Sequence, residues 1–369
     1  MKIAFRVDAS LAIGAGHVMR CLTLADALRD RGVDCLFICR PHVGNLLELI
    51  QQRQHHVFIL PNLNVGEFHN VDDSIYGAWL GTDWTIDAQD TYQALEKDYF
   101  DWLVVDHYAL DERWEQFLRP KCGRIMVIDD LADRLHDCDL LLDQNLGRNA
   151  DDYNALLSST CNLIIGPDYA LLRPEFSQLR VNSLARRAAP KIQQLLISMG
   201  GVDKDNITCQ ILAALKVSGM PSNIRVIVVM GSNAPWINEV KEVSASFEQP
   251  ISVLMGISEM AKIMADSDLA IGAAGSTSWE RCCLGLPAIQ MALAENQVQI
   301  ARALDDIGAA LLVDQDSLLD TLYRIFCNQD AMQDLLAKGP IASAIVDGLG
   351  VWRVVNLMLG ENYEDYAAV

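Results

Sequence analysis

No C-x-x-C pair occurs in this 369-residue chain, although it holds ten cysteines. Cys35 and Cys39 are four apart and Cys282 and Cys283 adjoin, spacing that offers neither a zinc knuckle nor a disulfide framework. The runs "CLFICR" and "RCCLGL" instead set thiols among apolar neighbours, where they behave as small buried hydrophobes. A reducing compartment is the simplest reading. No apolar run approaches about 18–20 residues, so no membrane span is expected. The opening "MKIAFRVD" is a short strand with a charge inside it and lacks the apolar core of a signal peptide, which leads to the expectation of a soluble, cytoplasmic protein. Basic charge is also short: the formal net charge is −20, which excludes a general nucleic-acid surface. A small anionic ligand stays open, because a few backbone amides and one arginine suffice for a diphosphate. Hydrophobic residues make up 51% of the chain, enough for one large core or two.

Short β-rich runs alternate with longer helical stretches. In the first half the runs are Lys2–Asp8, Cys35–Arg40, His56–Leu60, Trp102–Tyr108, Arg124–Asp130 and Leu140–Gln144. Between the first two, Val18, Leu22, Ala25 and Leu28 recur at helical spacing and mark one apolar face. The alternation breaks at residues 175–191, "EFSQLRVNSLARRAAPK", read as a linker. It restarts with Gln194–Ser198, Arg225–Met230, Ile251–Met255, Leu269–Ile271, Ala288–Met291 and Ala310–Val313. The pattern predicts an α/β protein of two doubly wound, Rossmann-like domains, 1–174 and 192–345, with an interdomain cleft. Residues 61–101 fit poorly and are treated as an insertion. Residues 346–369 form a C-terminal helix and tail, the helix around Val351–Leu359 packing back onto the first domain.

Ligands of such sheets sit beyond the carboxyl ends of the strands, so the loops there carry the chemistry. The first is "IGAGHVMR". Gly14 and Gly16 match the start of a dinucleotide fingerprint, but Met19 stands at the third glycine position and Arg40 where a ribose-binding acid belongs. His17 falls at a helix N-terminus, whose partial positive charge disfavours imidazolium. A neutral imidazole there can accept a proton; the alternative is a histidine that only caps the turn. In "WLVVDHYAL", Asp106, His107 and Tyr108 follow a buried strand and either orient a substrate or face solvent. His42, His55, His56, His69 and His136 have no such setting and receive no role.

The second half has two more glycine turns. "LLISMGGVDKDN" places Gly200 and Gly201 between a strand and a helix capped by Asp205 or Asn206, without the G-x-x-x-x-G-K-[ST] pattern of a P-loop. "LAIGAAGSTSWERCCLGLPAI" runs from a strand through Gly272 and Gly275 to Ser276, Thr277 and Glu280. Thr277 and Glu280 have capping-box spacing. The functional alternative is that the two oxygens of Glu280 accept from the vicinal hydroxyls of a ribose. Glu295, Asn296 and Gln297 offer amides and a carboxylate to a sugar or phosphate, and backbone near Met255 can pair with a nucleobase edge.

Taken together, "FRVDAS", "IGAGHVMRCLTLA", "VVDHYALD", "GPDYALLRPEF", "SMGG" and "AAGSTSWE" resemble the bacterial nucleotide-sugar hydrolases of pseudaminic acid biosynthesis, over residues 1 to about 300. That family is similar in fold to inverting GT-B glycosyltransferases, such as the one that makes lipid II, and releases UDP and the free sugar. The resemblance implies a GT-B-like fold, a UDP-linked diacetamido-trideoxy sugar as substrate and a route that serves flagellin glycosylation. It makes His17 the base that activates water, with Gly14, Gly16 and Arg20 of the same motif as substrate-binding residues. Asp106, His107, Tyr108 and Arg173 become substrate-side residues, Glu280 with Ser276 the ribose site, and Asn296–Gln297 a matching pair.

The mechanism expected is metal-independent and inverting, with no cofactor: water activated by His17 attacks C1, while Gly200, Gly201 and the helix start at Ser276 meet the diphosphate. Asp137-Cys138-Asp139 and Asp266-Ser267-Asp268 have D-x-D spacing, but each leads into a strand and is read as strand-entry polarity without the clustering a hard cation needs. The partners expected are a UDP-sugar and water, with no nucleic acid and no membrane, and the chain acts as a monomer. Two rivals stand beside this: a glycosyltransferase in which an acceptor hydroxyl replaces water, and a non-catalytic nucleotide-sugar sensor.

Overall fold

The computed structural model describes residues 1–62, 76–96, 98–232 and 234–361. The chain divides into two compact units: Met1–Leu171 with the chain from Val351 onward, and Leu172–Gly350.

The first unit is built on a sheet of seven strands: β1 (Lys2–Val7), β2 (Asp34–Cys39), β3 (His56–Ile59), β4 (Phe100–Asp106), β5 (Cys122–Ile128), β6 (Leu140–Asp143) and β7 (Asn162–Ile165). Their order is β3-β2-β1-β4-β5-β6-β7, every pair parallel. Parallel strands need crossovers, and the covering layers bury both faces. On β1, Ile3, Phe5 and Val7 join Val18, Leu22 and Leu28 of the helix Gly16–Arg29, while Ala4 joins Leu103, Val105 and Trp114 on the opposite face. The chain reverses its direction of winding at β1, which has β2 on one side and β4 on the other. Val7 lies in register with Asp106, so the loop after β1 and the end of β4 emerge side by side.

The segment 61–101 departs from the reading as an insertion. Its described part contains the helix Trp84–Ala94, which supplies the crossover from β3 to β4, and the first residues of β4 itself. Its docking face is mixed: Trp84, Ala88 and Tyr92 pack against the core, while Asp87 is buried among them and takes Arg6, Arg40 and the Trp114 indole N–H. The C-terminal helix Gly350–Leu359 does pack into the first unit. Val351, Val354, Val355 and Met358 enter the core around Phe5, and the Trp102 Nε1–H donates to the Met358 carbonyl at 3.1 Å.

The second unit repeats the plan with six parallel strands in the order β10-β9-β8-β11-β12-β13: β8 (Gln194–Ser198), β9 (Arg225–Met230), β10 (Ile251–Met255), β11 (Leu269–Ala273), β12 (Ala288–Met291) and β13 (Leu311–Leu312). Its reversal point is β8, flanked by β9 and β11, and Gly272 pairs with Ser198 in register. The expected linker is instead the helix Pro174–Arg187, begun by Pro174 and part of this unit. Its polar, basic surface misled the reading: Arg180, Arg186 and Arg187 do structural work by donating to the carbonyls of Cys283, Ala265, Met264 and Ser267. No helix among the described residues is long and apolar enough to cross a membrane.

Candidate functional site

In the first unit the loop after β1 folds back on itself. The Gly14 N–H donates to the Ser10 carbonyl at 2.8 Å, and Ser10 Oγ accepts from the amides of Ala12 and Ile13. Gly14 sits at φ +82°, where an L side chain is strained. The helix starts at Gly16, and no side chain caps it.

His17 is the second residue of that helix, and its ring is mostly buried. Its Nδ1 lies 2.6 Å from Asp106 Oδ1 at the end of β4. Arg20, one turn on, donates from Nε to Asp106 Oδ2 at 2.6 Å and from Nη2 to Oδ1 at 2.7 Å, and pairs through Nη1 with Asp130 at 2.7 Å. Burial alone would raise the Asp106 carboxyl, but Arg20 and then His17 outweigh it and hold the acid well below the usual carboxylate range. An ionised carboxylate only accepts, so the hydrogen sits on Nδ1 and the Nε2 lone pair is left to take a proton. The Tyr108 ring meets the imidazole edge-on at 4.6 Å, and its hydroxyl donates to Asp130 at 2.6 Å. Trp79 stacks on Tyr108 at 5.6 Å, and Tyr76 contacts both rings, at 4.8 and 5.1 Å.

Asp106 and Arg20 therefore differ from their substrate-contact reading. Asp106 is fully buried and both its oxygens are occupied, and Arg20 is taken up by two aspartates, so the pair orients the imidazole. His107 departs further, because consecutive residues leaving a strand point to opposite faces. Its Nδ1 accepts the Ala109 N–H at 3.1 Å, while Nε2 faces Asp8 Oδ2 at 3.5 Å, as does His42 Nε2. Burial pushes the His107 imidazole down, against the pull of Asp8. Asp8 belongs to the Arg6–Asp87–Arg40 network that docks the crossover helix. His55 and His136 have carboxylate partners of their own, Asp26 and Glu115. His69 lies outside the described residues.

In the second unit, Gly200 takes φ +92° two residues past the end of β8. A Cβ on Gly231 would stand 2.0 Å from the Gly201 carbonyl oxygen, so the loops after β8 and β9 meet as bare backbone. Asn206 does stand at the N-cap of the next helix but makes no side-chain capping bond; the carboxylate that accepts from Ile207 and Thr208 is that of Asp203, not Asp205. Beyond β11, Ser276 precedes the helix Thr277–Cys283 without a side-chain cap, so the Thr277–Glu280 capping box does not form. Glu280 is instead 4.0 Å from Arg173, whose Nη1 donates to the Ser258 carbonyl at 3.2 Å. Burial raises the Glu280 carboxyl, and Arg173 opposes this. Arg173, Glu280 and the loop that follows Met255 thus come together. Met255 ends β10 with its side chain exposed, and Gly256 turns the chain at φ +56°. Gln297 Oε1 accepts from Leu293 at 2.9 Å, and its Nε2 approaches Gly275, with Asn296 beside it at the start of the helix Glu295–Asp306. Of the D-x-D pairs, Asp137 and Asp139 both hold Arg119, and Asp268 accepts the amides of Gln193 and Gln194.

Three features escaped the sequence reading: Asp130, and the aromatic pair Tyr76 and Trp79. The aromatic density of "IYGAWLGTDW" was the available signal, hidden because the stretch breaks the strand–helix rhythm.

Residues 181–331 match the glycosyltransferase family 28 C-terminal domain. Over 277 residues, 75% of this chain and 86% of the relative, the sequence is 28% identical to UDP-2,4-diacetamido-2,4,6-trideoxy-beta-L-altropyranose hydrolase of Campylobacter jejuni. Among solved structures, MurG of Acinetobacter baumannii superposes with a TM-score of 0.65 at 16% identity, covering 97% of this chain and 99% of that one. TcCGT1 in complex with UDP does so with a TM-score of 0.66 at 12% identity, covering 98% and 99%. The GT-B fold and the resemblance read from the motifs both hold.

Proposed function

We propose that this GT-B chain, whose second unit is of the glycosyltransferase family 28 C-terminal type, processes a nucleotide sugar in sugar biosynthesis, and does so by hydrolysis. The substrate is a UDP-linked diacetamido-trideoxy sugar, and the products are UDP and the free sugar with inverted configuration at C1. The observation that carries this reading is the His17–Asp106 pair beside the Gly14–Gly16 turn.

His17 Nε2 takes a proton from water as the water oxygen bonds to C1. The C1–O bond to the diphosphate breaks, and its electron pair stays on the departing UDP oxygen. Imidazolium forms next to an ionised Asp106, so the charge that develops on His17 is met at Nδ1 without reorganisation. Arg20 fixes the carboxylate that fixes the ring. Trp79 and Tyr76, packed on the buried Tyr108 ring that meets the imidazole, supply part-exposed apolar ring surface suited to the methyl groups of a deoxy, acetamido sugar. In the second unit the backbone of Gly200, Gly201, Ser276 and Thr277 receives the diphosphate, and Glu280 accepts from the ribose hydroxyls. Met255 completes the nucleotide side, and Asn296 and Gln297 offer their amides to the sugar or phosphate. Neither a metal nor a cofactor enters the scheme.

The test is incubation of the UDP-sugar without any acceptor in isotopically labelled water. Free sugar carrying label at C1, stoichiometric with UDP, is expected. His17→Ala should bind UDP normally and release no sugar; turnover at the wild-type rate would remove the base from the scheme. The glycosyltransferase fold of the structural neighbours favours one rival, sugar transfer, and UDP release that requires an added acceptor would establish it.

A further inference from the structure

Arg281 plays no part in the scheme above, yet it is an unusual charge. It is 3% exposed, and its hydrogen-bond partners among the described residues are all neutral: Nη2 donates to the Ala273 carbonyl at 2.9 Å and to Ser278 Oγ at 2.9 Å, and Nη1 reaches Thr277 Oγ1 at 3.3 Å. A guanidinium removed from water is normally matched by a carboxylate, because neutral dipoles replace lost hydration only in part. Among the described residues no carboxylate forms an ion pair with it. Burial pulls the guanidinium down from its ordinary value, the direction expected of a cation short of negative charge.

Its position supplies the reason. Although Arg281 lies in the helix Thr277–Cys283, its side chain runs back toward the beginning of that helix, beneath the turn from Ala273 to Thr277. A Cβ on Gly272 would fall 2.7 Å from Arg281 Nη1 and 3.0 Å from the Ser198 carbonyl oxygen. The guanidinium thus lies against the paired ends of β8 and β11, at the reversal point of the sheet, next to where the loops after Ser198 and Ala273 begin. Gly272 is bare so that this cation can sit there.

We propose that Arg281 is the positioning charge of the nucleotide site: it braces the Ala273–Thr277 turn and its positive field is neutralised by the diphosphate when the nucleotide binds. The inference rests on the UDP reading of this unit and deepens it. Arg281 acts through the loop and through space, so it discriminates by ligand charge and not by base or ribose.

The experiment measures calorimetric affinities of UDP, UMP and uridine for the full chain and its variants at one ionic strength. Arg281→Met should lower UDP affinity about tenfold or more and UMP affinity less, leaving uridine unchanged. Arg281→Lys should retain most of the UDP-over-uridine preference. If the Met variant does not fold, Arg281→Gln, which keeps donors for the Ala273 carbonyl, replaces it and should lose the preference that the Lys variant keeps. Equal weakening of UDP and uridine, or an unchanged preference in the uncharged variant, would overturn the inference alone. A wild-type chain that binds no UDP would overturn the underlying reading as well.

Discussion

Replacing Asp106 with asparagine isolates the orienting role of the carboxylate, because the two side chains have almost the same shape. Asp106 makes three close charge-assisted contacts: 2.6 Å to His17 Nδ1, 2.6 Å to Arg20 Nε and 2.7 Å to Arg20 Nη2. An asparagine has one oxygen for two places: at the Oδ2 place it accepts from Arg20 Nε and its NH2 is turned toward His17. Nδ1 must then accept, the ring hydrogen moves to Nε2, and the atom that should take the proton from water already holds one. A wrong tautomer of this kind costs about 10⁴ in kcat in a serine protease. Each decade corresponds to about 1.36 kcal/mol, so the expected loss is about 5.4 kcal/mol of transition-state stabilisation. A further cost of about 1–3 kcal/mol in folding stability is expected from the Arg20 donor left facing an NH2 group. UDP release from the UDP-sugar measures the first term, and denaturant unfolding the second. UDP affinity should be unchanged. Turnover within about tenfold of wild type would refute the argument, and would mean that the amide oxygen stands at the Oδ1 place, where it accepts from both His17 Nδ1 and Arg20 Nη2. The pH dependence gives an independent check. The Asp106 carboxyl is depressed in the folded protein, so its stabilisation is complete above the unfolded value of about 4 and is lost as pH falls toward the folded value. Wild-type stability should therefore fall below about pH 4, and D106N should fall less steeply.

Glu280→Ala should weaken UDP by about 1.5–3 kcal/mol, the range for hydrogen bonds to a charged acceptor, and leave uracil-free diphosphate binding unaltered; calorimetry with UDP and with pyrophosphate separates the two, and unaltered UDP binding would remove the ribose assignment. Activity should survive excess chelator, and loss that is restored by one added divalent ion would replace the metal-free scheme.

Much of the architecture was readable in advance because parallel strands buried on both faces are written as continuous apolar runs. Gln194–Ser198, Arg225–Met230, Ile251–Met255 and Ala288–Met291 have the expected bounds. Local glycine chemistry likewise marked the turns at Gly14 and Gly200, where a positive φ is required. Where polar residues face inward, the same logic failed. The helix Trp84–Ala94 interleaves its apolar contacts Trp84, Ala88 and Tyr92 with the buried Asp87, and the helix Pro174–Arg187 is anchored by arginines that donate to carbonyls, so inward-facing polar residues interrupt the pattern of both.

The role of each site residue divides along the same line. Sequence alone determined that His17 opens a helix after a glycine turn and that Asp106 ends a buried strand, since both follow from short-range pattern. Only the tertiary structure decided that they meet. Their contact depends on β1 and β4 lying side by side with Val7 opposite Asp106, although Phe100–Asp106 is the fourth strand in the chain. That pairing turns Asp106 from a substrate contact into the partner of His17 and sends His107 to the opposite face. It also sets the Tyr108 ring against the imidazole, with Trp79 and Tyr76 packed on Tyr108, and the corresponding pairing of β8 with β11 sets Arg281 beneath two glycine loops. Strand order is a property of how distant segments pack, and no local run of residues encodes it.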